Sequence, residues 1–375
     1  MDQEFFIPKH LKIAILHDAL VVPAGSERVA LNISDLFPEA PIFTSVYLPE
    51  NTFPEFKKRN IHTLPFAKLV KKERQFKNLY PLWLAELALL DLSKFDLVIS
   101  SANYLAKFIH LPAKTNHVCY LHNPIRFLWK SQVYSKESLP LGAVSQPVIS
   151  AFLPLLQRYD IKKTQKIDHL VTNSKNIAGQ IERIYHRQAE VIYPPVDVSS
   201  YYVSSTPGDY YLYAGRLISH KRADIVVNAC KKLNRKLIIA GDGLEREKLQ
   251  ALAGPDVIFT GRVTDQEMRH LYANCKALLF PSDEDFGLIP VEAQASGRPV
   301  IAYRSGGALE TIIDGETGLF FDEQNESSLI EAIQRFERMT FRPERSRENA
   351  MIFDTTVFRK RFFNYIQNII SQGTK

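Results

Sequence analysis

The sequence predicts an α/β protein made of two doubly wound, Rossmann-like domains. Three observations predict it. Short apolar runs closed by Gly, Ser, Asn or Pro alternate with longer helical stretches along most of the chain, as in parallel strands joined by crossover helices. The rhythm stops once, at Tyr193-Pro194-Pro195-Val196-Asp197 and the polar run VSSYYVSSTPGD, and then restarts. The 375 residues, 45% apolar and 23% charged, suffice for two domains of ordinary size. The expected division is a first domain over 1–197, a linker over 198–209, a second domain over 210–354 and a final helix over 355–375.

In the first half, residues 12–16 (KIAIL) read as a buried strand. The segment HDAL and the turn Val22-Pro23-Ala24-Gly25-Ser26 follow, then a helix over 27–36. Two readings of the turn stand together. Gly25, with Ser26 beside it, lets a ligand approach the backbone, or Ser26 is an ordinary N-cap. Strands are expected over 42–46, 61–64 and 95–100. The stretch KLVKKERQFKNLYPLW (68–83) interleaves basic residues with Leu69, Phe76, Leu79, Tyr80, Leu82 and Trp83. It is either a solvated helix followed by a core aromatic patch, or an interfacial element for anionic lipid. The strand 117–121 ends in His122-Asn123-Pro124-Ile125-Arg126. A polar turn at the C-terminal end of a strand is where open α/β sheets bind ligands. A charged helix over 158–168, a strand over 169–172 and a helix over 176–185 complete this half.

The second half has expected strands over 210–214, 236–240, 257–260, 277–280 and 300–303, and ends in an amphipathic, basic helix over 355–371. Its densest stretch is FPSDEDFGLIPVEAQASGRPVIAYRSGG, residues 280–307. Two strand–loop–helix junctions follow one another here. Pro290 suits the first turn of a helix over about 288–296, stopped by Gly297. Helix N-termini bring unpaired N–H groups and positive dipole ends to one place, which favours phosphate. Glu284 and Glu292 frame the first junction. A carboxylate beside phosphate is suited to sugar hydroxyls, so the pair points to a nucleotide or sugar nucleotide. Arg216, in Gly215-Arg216-Leu217, and Lys221 can neutralise a diphosphate; as an isolated pair they could equally be solvated surface cations. Gly241-Asp242-Gly243 is a tight polar turn, and Gly261-Arg262-Val263 closes the third strand of this half.

Composition excludes several classes. No apolar run approaches the ~20 residues of a membrane-spanning helix. The stretch MDQEFFIPKHLK lacks a signal-peptide core. Cys119, Cys230 and Cys275 are dispersed and fit a reducing cytoplasm better than a disulfide framework or zinc site. The net charge of +6 admits nucleic acid, an anionic membrane or an anionic substrate, but no nucleic-acid motif accompanies it. A cofactor-dependent NAD enzyme is disfavoured because no G-x-G-x-x-G follows either first strand. Asp283-Glu284-Asp285 contains D-x-D, yet Arg216 and Lys221 already offer positive charge, so no metal is expected. A paired-carboxylate glycosidase needs both acids flanking one bond, which a helical Glu292 fits poorly.

The E-x7-E spacing after an FPS strand end, followed by the SGG turn, resembles the retaining glycosyltransferases of family 4, which have the GT-B fold of two Rossmann-like domains facing a cleft. G-R-L with a following Lys, R-x-D at Arg158–Asp160, D-x4-N-S at Asp168–Ser174 and Y-P-P-V-D extend the resemblance over nearly the whole chain. It implies a metal-independent transfer from a nucleotide diphosphate sugar, with His122, Arg216, Lys221 and Glu284 at the reaction centre. The donor would meet Gly25, Arg216, Lys221, Gly261, Arg262, Val263, Phe286, Gly287, Leu288 and Glu292, with the base at Gly261–Val263 and the ribose at Glu292. Ser26, Asn123 and Arg126, and a loop over 131–147, would lie on the acceptor side. The H-N-P-I-R turn, Trp129 and the R-Y-D helix look most like bacterial mannosyltransferases of surface-polysaccharide assembly. The resemblance therefore implies GDP-mannose as donor and a glycan or polyprenyl-linked acceptor, at the inner face of the cytoplasmic membrane. A UDP-sugar donor stays open, as does an epimerase of the same architecture.

Overall fold

The computed structural model describes residues 8, 10–71, 75–76, 79–129 and 146–372. They form two units, residues 1–195 with 358–375, and residues 196–357. The first holds β1 (Ile13–His17), β2 (Ile42–Thr44), β3 (Ile61–Thr63), β4 (Leu97–Ala102), β5 (Asn116–Leu121), β6 (His169–Thr172) and β7 (Glu190–Val191). All pair in parallel in the order β3-β2-β1-β4-β5-β6-β7. The continuous apolar runs are explained by burial on both faces. Side chains alternate across a strand, so Ala14 and Leu16 enter one core, with Val98 and Cys119, while Ile13 and Ile15 enter the other, with Ile99 and Val118.

That second core is completed by the helix Thr355–Ser371. Its Phe358, Phe362, Phe363, Ile366 and Ile369 are all buried there, each contributing about 1.5–3 kcal/mol by leaving water. Arg359 adds a hydrogen bond from Nε to Asn32 Oδ1 at 2.9 Å and an ion pair with Asp35. The first core takes the aromatic part of the basic stretch. Phe76 and Trp83 are buried and stacked at 5.9 Å, and the Trp83 indole donates to the Phe76 carbonyl. Leu69 and Leu82 remain exposed. The two readings of this stretch therefore divide residue by residue.

The second unit holds β8 (Tyr211–Ala214), β9 (Leu237–Ala240), β10 (Val257–Gly261), β11 (Leu278–Phe280), β12 (Val300–Tyr303) and β13 (Gly318–Phe321), in the order β10-β9-β8-β11-β12-β13. The sixth strand, Gly-Leu-Phe-Phe, goes beyond the five expected. β8 lies between β9 and β11, so the strand order reverses there and opens a crevice at the strand C-termini. The stretch 198–209, expected as a linker, belongs to this unit. The Arg347 guanidinium donates to the carbonyls of Val198, Tyr201 and Ala295, and Val198 N–H donates to Asp354.

Candidate functional site

In the second unit, close backbone approach sets the loops after β8, β9 and β10. A Cβ on Gly241 would fall 1.9 Å from the Gly215 carbonyl oxygen, so only glycine lets these turns touch. Gly215 N–H donates to Ala240 O, Leu217 N–H to Asp242 O, and Gly241 N–H to Gly261 O, at 2.8–3.0 Å. The weak-looking Gly-Asp-Gly turn is thus the support on which Gly-Arg-Leu rests. Arg216 projects from that support, exposed and with no ion pair among the described residues.

Lys221 ends a 3-10 turn, Ser219–Lys221. The buried Ser282 hydroxyl, at the end of β11, donates to its carbonyl at 3.1 Å. Lys221 Nζ then lies 2.5 Å from Glu284 Oε1, with the two side chains 15% and 22% exposed. Sequence reasoning gave Lys221 to a diphosphate and Glu284 to a sugar as separate contacts. The fold makes them one ion pair.

The loop carrying Glu284 is clamped by the turn after β12. Gly307 N–H donates to Glu284 O at 2.8 Å, and Ser305 Oγ to Asp283 Oδ1 at 2.9 Å. A Cβ on Gly307 would fall 2.2 Å from Phe286 Cα. This corrects the expectation that both junctions offer free amides to phosphate. The second spends its Gly307 amide on the first, and its helix is only Ala308–Thr311. The first keeps the expected form. Gly287 at φ 85° starts the helix Leu288–Ala295, and no side chain caps it. Phe286 is buried with its ring 5.5 Å from that of Phe353, turned to the core. It can meet a ligand only through its backbone.

Glu292 is half-buried on that helix, and its Oε2 accepts from the Tyr272 hydroxyl at 2.9 Å. Burial, and then the Glu292 charge, pushes the Tyr272 phenol well above its ordinary range. Tyr272 was not foreseen, because it lies on a different helix, Asp265–Asn274. Val263, in the loop after β10, and Ile289, in the first turn of Leu288–Ala295, both pack against the same core. Arg262 is exposed beside it.

The first unit gathers polar groups at its own strand ends. His17 Nδ1 lies 3.1 Å from Ser101 Oγ, and Ser101 Oγ lies 2.8 Å from His122 Nε2. Ser100 Oγ meets His117 Nε2 at 2.8 Å. All are buried. Burial first, then the charge of His17, pushes His122 down to about 3. Burial lowers His117 to about 4 and also lowers His17. His122 is therefore a neutral hydrogen-bonding group at ordinary pH.

The Asp18 carboxylate, also unforeseen, accepts from the backbone amides of Asn103, Tyr104, Leu105 and Ala106 at 2.6–2.8 Å. It fixes the loop after β4, and Asn103 Oδ1 accepts from Asn123 Nδ2 at 3.2 Å. Arg126 opens the short helix Arg126–Trp129. The Trp129 indole donates to the buried Asp160 carboxylate at 2.8 Å, which also pairs with buried Lys107 and accepts from the Tyr185 hydroxyl.

Gly25 begins the helix Gly25–Leu36 and Ala24 occupies the N-cap, so the expectation of a Ser26 cap is corrected. Ser26 Oγ instead donates to Glu27 Oε2 at 2.8 Å. Residues 130–145, and with them most of the expected 131–147 loop, lie outside the described residues. No helix among the described residues is long and apolar enough to cross a membrane.

Comparison with known proteins adds the following. The family profile described as Glycosyltransferase Family 4 matches residues 23–200, and that of the glycosyl transferases group 1 matches residues 203–352. A glycosyltransferase of Methanocaldococcus jannaschii is 32% identical over 184 residues, 47% of this chain and 52% of its own. A GDP-mannose-dependent alpha-mannosyltransferase of Corynebacterium glutamicum is 37% identical over 111 residues, 29% of this chain and 27% of its own. The chain thus spans about half the length of the first relative and about a quarter of the second. The crystal structure of Anabaena HepE in complex with UDP and glucose superposes with a TM-score of 0.70 at 18% identity, covering 96% of this chain and 100% of the other. The two Rossmann-like units thus match the GT-B fold.

Proposed function

The chain belongs to the family 4 glycosyltransferases, and on that premise we propose that it moves a mannosyl group from GDP-mannose to a hydroxyl of a glycan or lipid-linked glycan, with retention at the anomeric carbon. The observation that carries the reading is the convergence, at the β8–β11 crevice, of Arg216, the Lys221–Glu284 pair and the uncapped start of Leu288–Ala295. In the reaction the bond from the anomeric carbon to the diphosphate oxygen breaks while the acceptor oxygen bonds to the same face. The acceptor proton passes to the departing phosphate oxygen. Arg216, Lys221 and the helix start stabilise the charge that develops there, with no metal required. Glu284 holds the sugar hydroxyls and Glu292 the ribose. Asn123 and Arg126 serve the acceptor. The mannose assignment draws on the C. glutamicum relative. A UDP-sugar donor is the second reading, favoured by the UDP and glucose bound to HepE.

A panel of sugar nucleotides tested by thermal shift decides between them, since a ligand at a hundred times its dissociation constant stabilises by about 2.7 kcal/mol. Transfer should survive EDTA; its loss, restored by Mg²⁺, would refute metal independence. Glu284→Ala should lower chiefly kcat and Glu292→Ala chiefly nucleotide affinity; the opposite split reverses the two assignments. Surface-polysaccharide assembly at the inner membrane face is part of the same reading. It draws on exposed Leu69 and Leu82 beside Lys68 and Lys71, and each basic residue near an anionic surface adds about 1 kcal/mol. Vesicles of anionic lipid that fail to bind the protein at low salt would remove it.

A further inference from the structure

The Gly-Asp-Gly turn does more than support Arg216. Its Asp242 Oδ1 accepts from Gly243 N–H at 2.9 Å and lies 3.5 Å from Arg246 Nη1. Oδ2 has no protein partner among the described residues. The two side chains stay 41% and 34% exposed. Arg246 reaches across to the next strand, where a Cβ on Gly261 would fall 3.1 Å from its Nη1. A carboxylate and a guanidinium are thus presented side by side over the end of β10, at the start of Gly261-Arg262-Val263. One side chain only accepts hydrogen bonds and the other only donates them.

We infer that Asp242 and Arg246 read the nucleobase and select guanine over uracil, an assignment that rests on the sugar-nucleotide reading of this site. Guanine carries an acceptor, O6, and a donor amine, N2, with the N1–H between them. An arginine donating to O6 and a carboxylate accepting from N1–H and N2–H match that edge. Uracil carries carbonyl acceptors on both sides of its N3–H, so one of them must face the carboxylate with no proton between. The same donor and acceptor patterns distinguish these bases in nucleic acids. A site built to bond a polar group discriminates strongly against a base lacking it. The Arg246–Asp242 ion pair holds the two groups in register before the base arrives.

The experiment measures GDP and UDP binding by isothermal titration to the full chain and to Asp242→Asn, Arg246→Ala and Arg262→Ala. The wild type should bind GDP tighter than UDP by roughly tenfold to hundredfold, as a good two-bond base contact provides. Asp242→Asn should erase most of that preference, lowering GDP affinity and easing the clash with uracil, and Arg246→Ala should erase most of it by lowering GDP affinity; retained UDP binding in both also shows that the fold is intact. A preference that survives both substitutions, that favours UDP in the wild type, or that disappears with Arg262→Ala alone overturns the inference. If the wild type binds neither nucleotide, the sugar-nucleotide reading itself falls; the other failures leave it standing.

Discussion

The two units place different chemistry at the C-terminal ends of the same kind of sheet. In the first, polar groups face one another. His17, Ser101 and His122 form a buried chain and Asp18 is covered by four amides, while elsewhere in the unit Lys107 is sealed against Asp160. In the second, charge lies at the surface. Arg216 is unpaired among the described residues, and Lys221 and Glu284 meet where solvent still reaches them. Buried, neutral groups can orient a hydroxyl without opposing it electrostatically. Partly exposed, fixed charges can stabilise a leaving group that becomes more negative as its bond breaks. The contrast separates a unit whose polar groups are buried and neutral or sealed from a unit whose charges stay within reach of solvent.

The strongest way to break the comparison is to unseal the first unit. Lys107→Met leaves Asp160 charged and buried with its cation gone, and removing one partner of a buried pair costs about 3–5 kcal/mol. Both tryptophans, Trp83 and Trp129, lie in the first unit, so their fluorescence in denaturant follows this unit alone. A loss below about 1 kcal/mol would mean that the pair is not what holds Trp129 and its helix.

Next in size is the second unit. Arg216→Ala should lower the transfer rate about 10²–10³-fold with saturating acceptor, without changing circular dichroism. Lys221→Ala should cost a similar factor, and the double variant less than the product if both act on one diphosphate as proposed. A folded single variant with near-full activity would move the diphosphate site elsewhere.

The effect that is smallest per step, at most about 1.4 kcal/mol per pH unit for each histidine, sharpens the contrast through pH. His117 and His122 titrate near 4 and 3 in the folded chain against 6.5 ordinarily. The unfolded chain therefore binds more protons as pH falls below about 6.5. Stability is complete above that pH and declines toward 4 by at most about 1.4 kcal/mol per pH unit for each histidine. Tryptophan-detected unfolding between pH 7 and 5 should show this slope, and His117→Asn should remove one share of it. A flat profile would mean that these histidines gain charge without unfolding.

Most of the strands, though not their order in the sheets, could be expected from sequence because buried parallel strands are short apolar runs with turn residues at their ends. β13 escaped because Gly-Leu-Phe-Phe is four residues long and follows Asp-Gly-Glu-Thr, a stretch that reads as turn. Site residues were legible as types but not as partners. Lys221 and Glu284 are 63 residues apart along the chain, and only the pairing of β8 with β11 brings them together. Tyr272 gives no local signal, since its role depends on how the helix Asp265–Asn274 packs beside Leu288–Ala295. Phe286 sat in a motif, yet the motif does not reveal that its ring turns inward. Asp18 lay in plain view in His-Asp-Ala-Leu, but what it caps comes 85 residues later, at Asn103.

The helix Thr355–Ser371 also orders events during synthesis. Domains commonly fold as units from the N-terminus while the chain is being made. Here the first sheet cannot cover the face that Ile15, Ile99 and Tyr120 present until Phe358, Phe362 and Ile366 have been translated. All of the second unit lies in between. The unit begun first is therefore finished last, and a chain ending at residue 357 would hold a complete second unit tethered to a first unit with one open apolar face.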